Sequence, residues 1–152
     1  MVSRDWSALG DITGWQNWTT PQPFPSGVRL SVPEYVELEI LNDGLEDFRG
    51  LYEVIWMLNG FLDIPEDDKI VLAEEILSRL LRGGLIGIER AVWTKNSYAP
   101  VSPEEAGDLL KAPESWQPPP ESGLYLGYVT AGDGAARAAE IWDCALKRAQ
   151  RP

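Results

Sequence analysis

Seven carboxylates lie close together in the first half of this 152-residue chain. Side chains of this type can do general acid–base chemistry or hold a hard cation. Their spacing lacks the Asp-x-Asp-x-Asp-Gly pattern of a calcium loop, which disfavours a metal or catalytic site. Two other interpretations stay open: a solvated face, or a docking surface for a basic partner. The seven residues are Glu34, Glu37, Glu39, Asp43, Glu46, Asp47 and Glu53.

The absence of histidine narrows the possible chemistry further. Without histidine there is no Ser–His or Cys–His nucleophile pair, no histidine base and none of the usual zinc sites. The single cysteine, Cys144, excludes an internal disulfide, and its apolar helix context predicts a buried, inert thiol. We therefore expect a protein that is not an enzyme and that uses no cofactor and no metal.

The net charge of −11 is unevenly distributed. Residues 1–68 carry three basic and thirteen acidic side chains, so almost all of the excess lies there. A field of this sign repels phosphate backbones and attracts basic partners, so we expect a basic protein partner and disfavour duplex DNA. No apolar run reaches the roughly 20 residues of a membrane span, and no signal-peptide core is visible, which predicts a cytoplasmic protein without membrane association.

The first 27 residues are rich in Trp, Thr, Gly and Pro. The prolines at 21, 23 and 25 cannot continue a helix or a central strand, so this segment is predicted to be an irregular arm. Its Trp6, Trp15 and Trp18 would pack it onto the body or bind a partner. After it, alternation over 36–40 predicts a half-buried strand, with a helix from Pro33 as the alternative.

Helical spacing dominates the middle of the chain. It predicts a helix over 45–59, ending at Asn59-Gly60, and a second over 66–82 with a capping box at Asp63 and Glu66. The second helix should bury Leu77 and Leu80. A strand over 85–93, an excursion over 94–123 with a short helix from Ser102, a strand over 124–130 and a helix capped by Asp133 follow.

Two motifs carry a family resemblance. Leu77-x-x-Leu80-Leu81-x-Gly83-Gly84-Leu85-Ile86 and Tyr125-x-x-Tyr128-Val129-Thr130-x-x-Asp133-Gly134 resemble the corner and the wing strand of winged-helix domains. The resemblance implies a single α+β domain over 28–152, with helices packed on a small antiparallel sheet. Two features depart from the family pattern: only two predicted helices precede the first wing strand, and the excursion is longer than a usual wing.

Winged-helix domains serve several functions, and three fit this chain. We favour a non-catalytic, acidic inhibitor or adaptor of the immunity-protein or antitoxin type that covers a basic partner. The second is a DNA-binding transcription regulator, whose contacts would come from Arg79, Arg82, Arg90 and Lys95. The third is a peptide-recognition module for a modifying enzyme. In the second case, Asp67, Asp68, Glu74 and Glu75 on the groove-facing side of the 66–82 helix would oppose binding.

Overall fold

Helices and antiparallel strands are mixed along the described part of the chain. The computed structural model describes residues 5–16, 20, 22–92, 97–120 and 123–151. Over these ranges it contains five α-helices, one four-stranded antiparallel sheet and two pairs of two-residue strands, which is an α+β architecture, as predicted.

The N-terminal segment contains short strands that join it to the body. A 3₁₀ turn at Ser7–Leu9 precedes β1 (Asp11–Ile12), β2 (Gly14–Trp15), β3 (Gln22–Pro23) and β4 (Leu30–Ser31). β1 pairs with β4, and β2 pairs with β3, both antiparallel. The Trp15 ring stacks on Trp142 near the C-terminus, with ring centroids 5.4 Å apart. Trp6 and Trp15 thus both contact the body, whereas Trp18 lies outside the described residues.

The first helix, α1 (Val32–Glu46), replaces the strand that was predicted over 36–40. Ser31 Oγ accepts the Glu34 backbone N–H, and Glu34 accepts the Ser31 N–H, so a complete capping box starts the helix. The strand prediction was wrong because Glu37 and Glu39 are both buried. Their apolar–acidic alternation therefore marks no solvated face, and the alternative of a helix near Pro33 is the better description.

The second helix is shorter than the sequence predicts. Asp47 and Gly50 adopt extended backbone angles, so the chain forms β5 (Arg49–Gly50) before α2 (Leu51–Asn59) begins. The prediction of a helix from Leu45 was wrong, because residues 45 and 46 complete α1 instead. In α3 (Glu66–Arg82) Leu77 and Leu80 are buried, as predicted. Pro65 occupies the cap position without a side-chain hydrogen bond, so the predicted Asp63 capping box is absent.

The remaining elements complete the sheet and cover it. β6 (Ile86–Val92), β7 (Ser97–Pro100), α4 (Pro103–Leu110), a 3₁₀ turn at Pro113–Trp116, β8 (Leu124–Thr130) and α5 (Gly134–Ala149) follow in that order. The strand order is β5-β8-β6-β7. Ser102 caps α4 through the Glu105 N–H, as predicted, whereas Asp133 makes no side-chain cap on α5. Cys144 is exposed on α5, which corrects the prediction of a buried thiol.

Two hydrogen bonds fix the central strand to the first helix. The Tyr128 hydroxyl donates to the Ile40 carbonyl at 2.8 Å, and the Thr130 hydroxyl donates to the Leu41 carbonyl at 2.7 Å. Both carbonyls lie in α1, so β8 and α1 keep a fixed relative position. This contact sets the inner wall of the cleft described next.

Candidate binding cleft

A cleft of about 770 Å³ opens beside α1 and α2, where the N-terminal segment reaches them. One wall comes from α1, where Tyr35, Glu39 and Asp43 follow one another at intervals of four residues. Side chains at this spacing lie on one face of a helix. Tyr35 and Asp43 line the cleft directly, and Glu39 lies between them, almost fully buried. The Tyr35 hydroxyl accepts the backbone N–H of Gln16 at 2.8 Å, which joins the N-terminal segment to this wall.

The carboxylates of this wall are destabilised in their charged form. Burial is the largest cause that raises the pKa of Glu39 to about 7, and the negative charge of Asp43 is the next. A hydrogen bond from Tyr35 acts in the opposite direction and lowers this pKa. Burial also raises the pKa of Asp43, while the positive charge of Arg49 lowers it. An additional positive charge nearby would stabilise the ionised form of both carboxyl groups.

Arg49 is the one basic side chain among the described residues that line the cleft. Its guanidinium lies between Glu46 and Glu53, with a nitrogen–oxygen distance of 3.6 Å to each. Its Nε atom is buried without a hydrogen-bond partner among the described residues. A single guanidinium therefore faces Asp43, Glu46 and Glu53, and the cleft keeps an excess of acidic groups.

Part of the cleft lining is apolar and aromatic. Trp56, Met57 and Phe61 lie along α2 and the turn that follows it. Trp56 is 58% exposed, which is unusual for the largest apolar side chain. Glu53 precedes Trp56 and Met57 by three and four residues in α2, so acidic and aromatic groups lie side by side. This combination suits a ligand that is both cationic and partly apolar.

The seven predicted carboxylates do not form one surface. Asp43, Glu46 and Glu53 line the cleft, and Glu39 lies just behind it. Glu34 caps α1 and pairs with Arg148 at 3.1 Å, whereas Asp47 accepts the Phe48 N–H at the end of α1. Glu37 points away, toward Arg79 and Arg137.

The predicted DNA-contacting residues are largely occupied by other contacts. Arg79 donates to Glu37 at 2.6 Å, and Arg90 pairs with Glu105. Arg82 is exposed at the end of α3, and Lys95 lies outside the described residues. Part of α3 is also covered, because Trp6 Nε1 donates to Glu75 at 2.8 Å and α4 packs against the helix.

Sequence reasoning missed Tyr35, Arg49 and Trp56 as members of the cleft. The interval of four that joins Tyr35, Glu39 and Asp43 was visible, but it carries meaning only on a helix. On a strand, Glu37 and Glu39 share a face, whereas on a helix they point about 200° apart. The prediction grouped the seven carboxylates by their closeness along the chain, which does not tell which of them share a face of a helix.

The chain matches no protein-family model, no curated protein and no solved structure. Among the described residues, no group of three or more His, Cys, Asp or Glu side chains could hold a metal ion. No helix within the described ranges is long and apolar enough to cross a membrane. The cleft itself is therefore the basis for any functional conclusion.

Proposed function

We propose that this protein is a non-catalytic binding module whose cleft binds a basic segment of a partner protein. It would act as an acidic inhibitor or adaptor of the immunity-protein or antitoxin type. The observation that carries the proposal is the meeting of Asp43, Glu46 and Glu53 with a single arginine beside the exposed Trp56 ring.

Charge complementarity supports a cationic ligand. A lysine or arginine side chain entering the cleft would offset the desolvation that raises the pKa values of Glu39 and Asp43. Its aliphatic stem could pack on Met57 and Phe61, and its charge could stack on Trp56. The volume of about 770 Å³ falls within the range of ligand pockets and could take several side chains.

A winged-helix scaffold is part of the same proposal. Its support is the order α1, β5, α2, α3, β6, β8, together with the strand order β5-β8-β6. The sequence predicted only two helices before the first wing strand, which departs from the winged-helix pattern. The structure has three helices before β6, so this departure does not weaken the proposal. The elements between 97 and 120 would then be an insertion between the two wing strands.

The transcription-regulator alternative has less support. Its recognition helix would be α3, where Arg79 is held by Glu37 and where Trp6 and α4 cover part of the surface. The peptide-recognition alternative would use the same cleft as the favoured function. Its ligand would again be a basic peptide, so the two share one test of the cleft.

The decisive experiment compares two double variants with equal loss of charge. Asp43→Asn with Glu46→Gln neutralises the cleft, whereas Asp67→Asn with Glu66→Gln neutralises exposed carboxylates at the start of α3. With a partner isolated from the native host, the cleft variant should associate at least about tenfold more slowly at low salt, and the difference should narrow near 0.5 M salt. Equal slowing by both variants would mean that net charge alone guides association, and the cleft proposal would fail.

A further inference from the structure

Five aromatic rings form a continuous row across the outer face of the four-stranded sheet. In spatial order they are Tyr98, Phe48, Tyr125, Tyr52 and Trp56, and neighbouring ring centroids lie 4.9, 5.7, 5.7 and 4.9 Å apart. We refer to these five residues as the aromatic row. It begins on β7 and ends on α2, where Trp56 also lines the cleft. Trp56 therefore belongs to both the row and the cleft, whereas Tyr52, the next ring, is buried.

A pair of glycines makes room for the row. Gly50 of β5 lies opposite Gly127 of β8 in the sheet register. A Cβ atom at Gly127 would overlap the Phe48 ring and the Arg49 carbonyl, and one at Gly50 would lie 2.5 Å from the Tyr52 ring. The rings thus lie directly on bare backbone. Ala91 is buried although its register places it on this outer face, which agrees with rings covering the strands.

The two ends of the row are accessible and its surroundings are acidic. Tyr98 is 47% exposed and Trp56 is 58% exposed. The charges of Glu53 and Asp47, after burial and the neighbouring Tyr98, raise the pKa of Tyr125, so both carboxylates lie within electrostatic range of the row. Within β6, β7 and β8, the one charged residue on the outer face by register is Glu89.

We infer that the aromatic row extends the partner surface and takes an extended, arginine-bearing segment that continues out of the cleft. This inference rests on the proposed function. A planar guanidinium can stack on an aromatic ring and pair with a carboxylate through two parallel hydrogen bonds, whereas an ammonium group lacks this geometry. The two exposed rings of the row, Tyr98 and Trp56, with acidic side chains around the row, therefore select arginine over lysine.

A short extended segment can span the whole row. The row is long and narrow, and at roughly 3.3 Å per residue an extended chain of about six residues reaches from Trp56 to Tyr98. Side chains on one side of such a segment could contact successive parts of the row.

The test uses three synthetic peptides of about twelve residues that alternate serine with arginine, lysine or glutamine. Affinities are measured by isothermal titration calorimetry at low salt. The arginine peptide should bind wild-type protein at least about fivefold more tightly than the lysine peptide, and the glutamine peptide should not bind. Tyr98→Ala should bring the arginine-to-lysine ratio close to one. Leu124→Ala is the matched control, because Leu124 is 52% exposed but lies on the other face of the sheet, and it should keep the wild-type ratio.

The outcomes separate this inference from the proposed function. Equal affinity of wild type for the arginine and lysine peptides, or a ratio that Tyr98→Ala leaves unchanged, overturns the role of the aromatic row. Asp43→Asn with Glu46→Gln should weaken both peptides equally. If that variant binds both as tightly as wild type while Tyr98→Ala abolishes the arginine preference, the row stands and the cleft proposal fails. If none of the peptides binds, both the role of the aromatic row and the cleft proposal are overturned.

Discussion

Arg79 of α3 donates a 2.6 Å hydrogen bond to the Glu37 carboxylate of α1, whose other oxygen accepts Arg137 Nε of α5 at 2.7 Å. Glu37 is only 3% exposed, yet both guanidinium groups reach solvent. One carboxylate therefore joins three helices, and its charge is compensated twice. This arrangement explains how an acidic residue can lie inside the protein and why it belongs to the scaffold and not to the cleft.

Removing this charge should destabilise the protein. Glu37→Gln keeps the shape but removes the negative charge and replaces one acceptor oxygen by an NH₂ donor that faces a guanidinium. We expect the free energy of unfolding to fall by about 1–3 kcal/mol, since both arginines can rehydrate. Urea denaturation measures this change. The control is Glu140→Gln, which removes an exposed partner of the same Arg137 and should cost less than about 0.5 kcal/mol. Equal effects of the two changes would contradict the bridging role of Glu37.

Glu39 should make stability depend on pH in a defined direction. Its pKa of about 7 in the folded protein lies above its ordinary value of 4.5, so the folded state holds a proton that the unfolded chain releases between these values. The contribution of Glu39 to the stability of the fold is therefore fully present below pH 4.5 and is lost as the pH rises through 7. Glu39→Gln should therefore be more stable than wild type by about 1–3 kcal/mol at pH 8, with no gain near pH 4. Thermal unfolding between pH 4 and pH 8 tests this prediction, with the exposed Glu114→Gln as the control. A gain in stability that does not depend on pH would refute the assignment to Glu39.

Leu80 tests the core assignment of α3. It is 1% exposed and belongs to the main hydrophobic core. Leu80→Ala should lower the free energy of unfolding by roughly 2–5 kcal/mol, because it removes buried methyl groups and leaves a cavity. Leu45→Ala, at a side chain that is 50% exposed, should change stability by less than about 1 kcal/mol. A small loss at Leu80 would mean that the buried face of α3 is assigned wrongly.

The glycine beneath the aromatic row gives a second stability test. Gly127→Ala places a methyl group against the Phe48 ring and the Arg49 carbonyl, and we expect a loss of about 1–3 kcal/mol from this overlap. Gly107→Ala in α4 meets no atom within 4 Å and should be neutral or stabilising by up to about 1 kcal/mol, because alanine favours the helix. Chemical denaturation of both variants compares them. Equal effects would show that Phe48 does not lie on Gly127.

Duplex DNA should bind weakly. Arg79 is held by Glu37 at 2.6 Å, and most of the excess negative charge lies in the first 68 residues. Gel shifts at about 50 mM salt, where phosphate contacts are strongest, should give no sequence-specific complex below micromolar concentration. A tight complex that the exposed Arg82→Ala change weakens would restore the transcription-regulator alternative.

Local sequence patterns located the elements of the second half well. Gly caps, apolar spacing and the Ser102 cap depend on neighbouring residues, so α3, β6, α4, β8 and α5 were predicted close to their observed bounds. The buried positions of Leu77 and Leu80 followed from helical spacing alone. These features need no information from distant parts of the chain.

Predictions for the first half of the chain were wrong where contacts between distant residues decide the structure. Glu37 is tolerated inside α1 because Arg79 and Arg137 reach it from other helices, and no local pattern contains that information. Arg49-Gly50 leaves the helical pattern because it pairs with β8, which lies far along the chain. The cleft depends on both features, so its carboxylates could be named from the sequence but not grouped correctly.

The pairing of β5 with β8 has a consequence for how the chain assembles during synthesis. Arg49 and Gly50 leave the ribosome long before Tyr128 and Gly127, their partners in the sheet. Helices α1 to α3 can begin to pack from local contacts, but Phe48 and Tyr52 have no strand to rest on until residue 130 has emerged. Closing so large a loop is slow compared with helix formation. The nascent protein therefore displays this apolar surface for an interval in which chaperones can reach it.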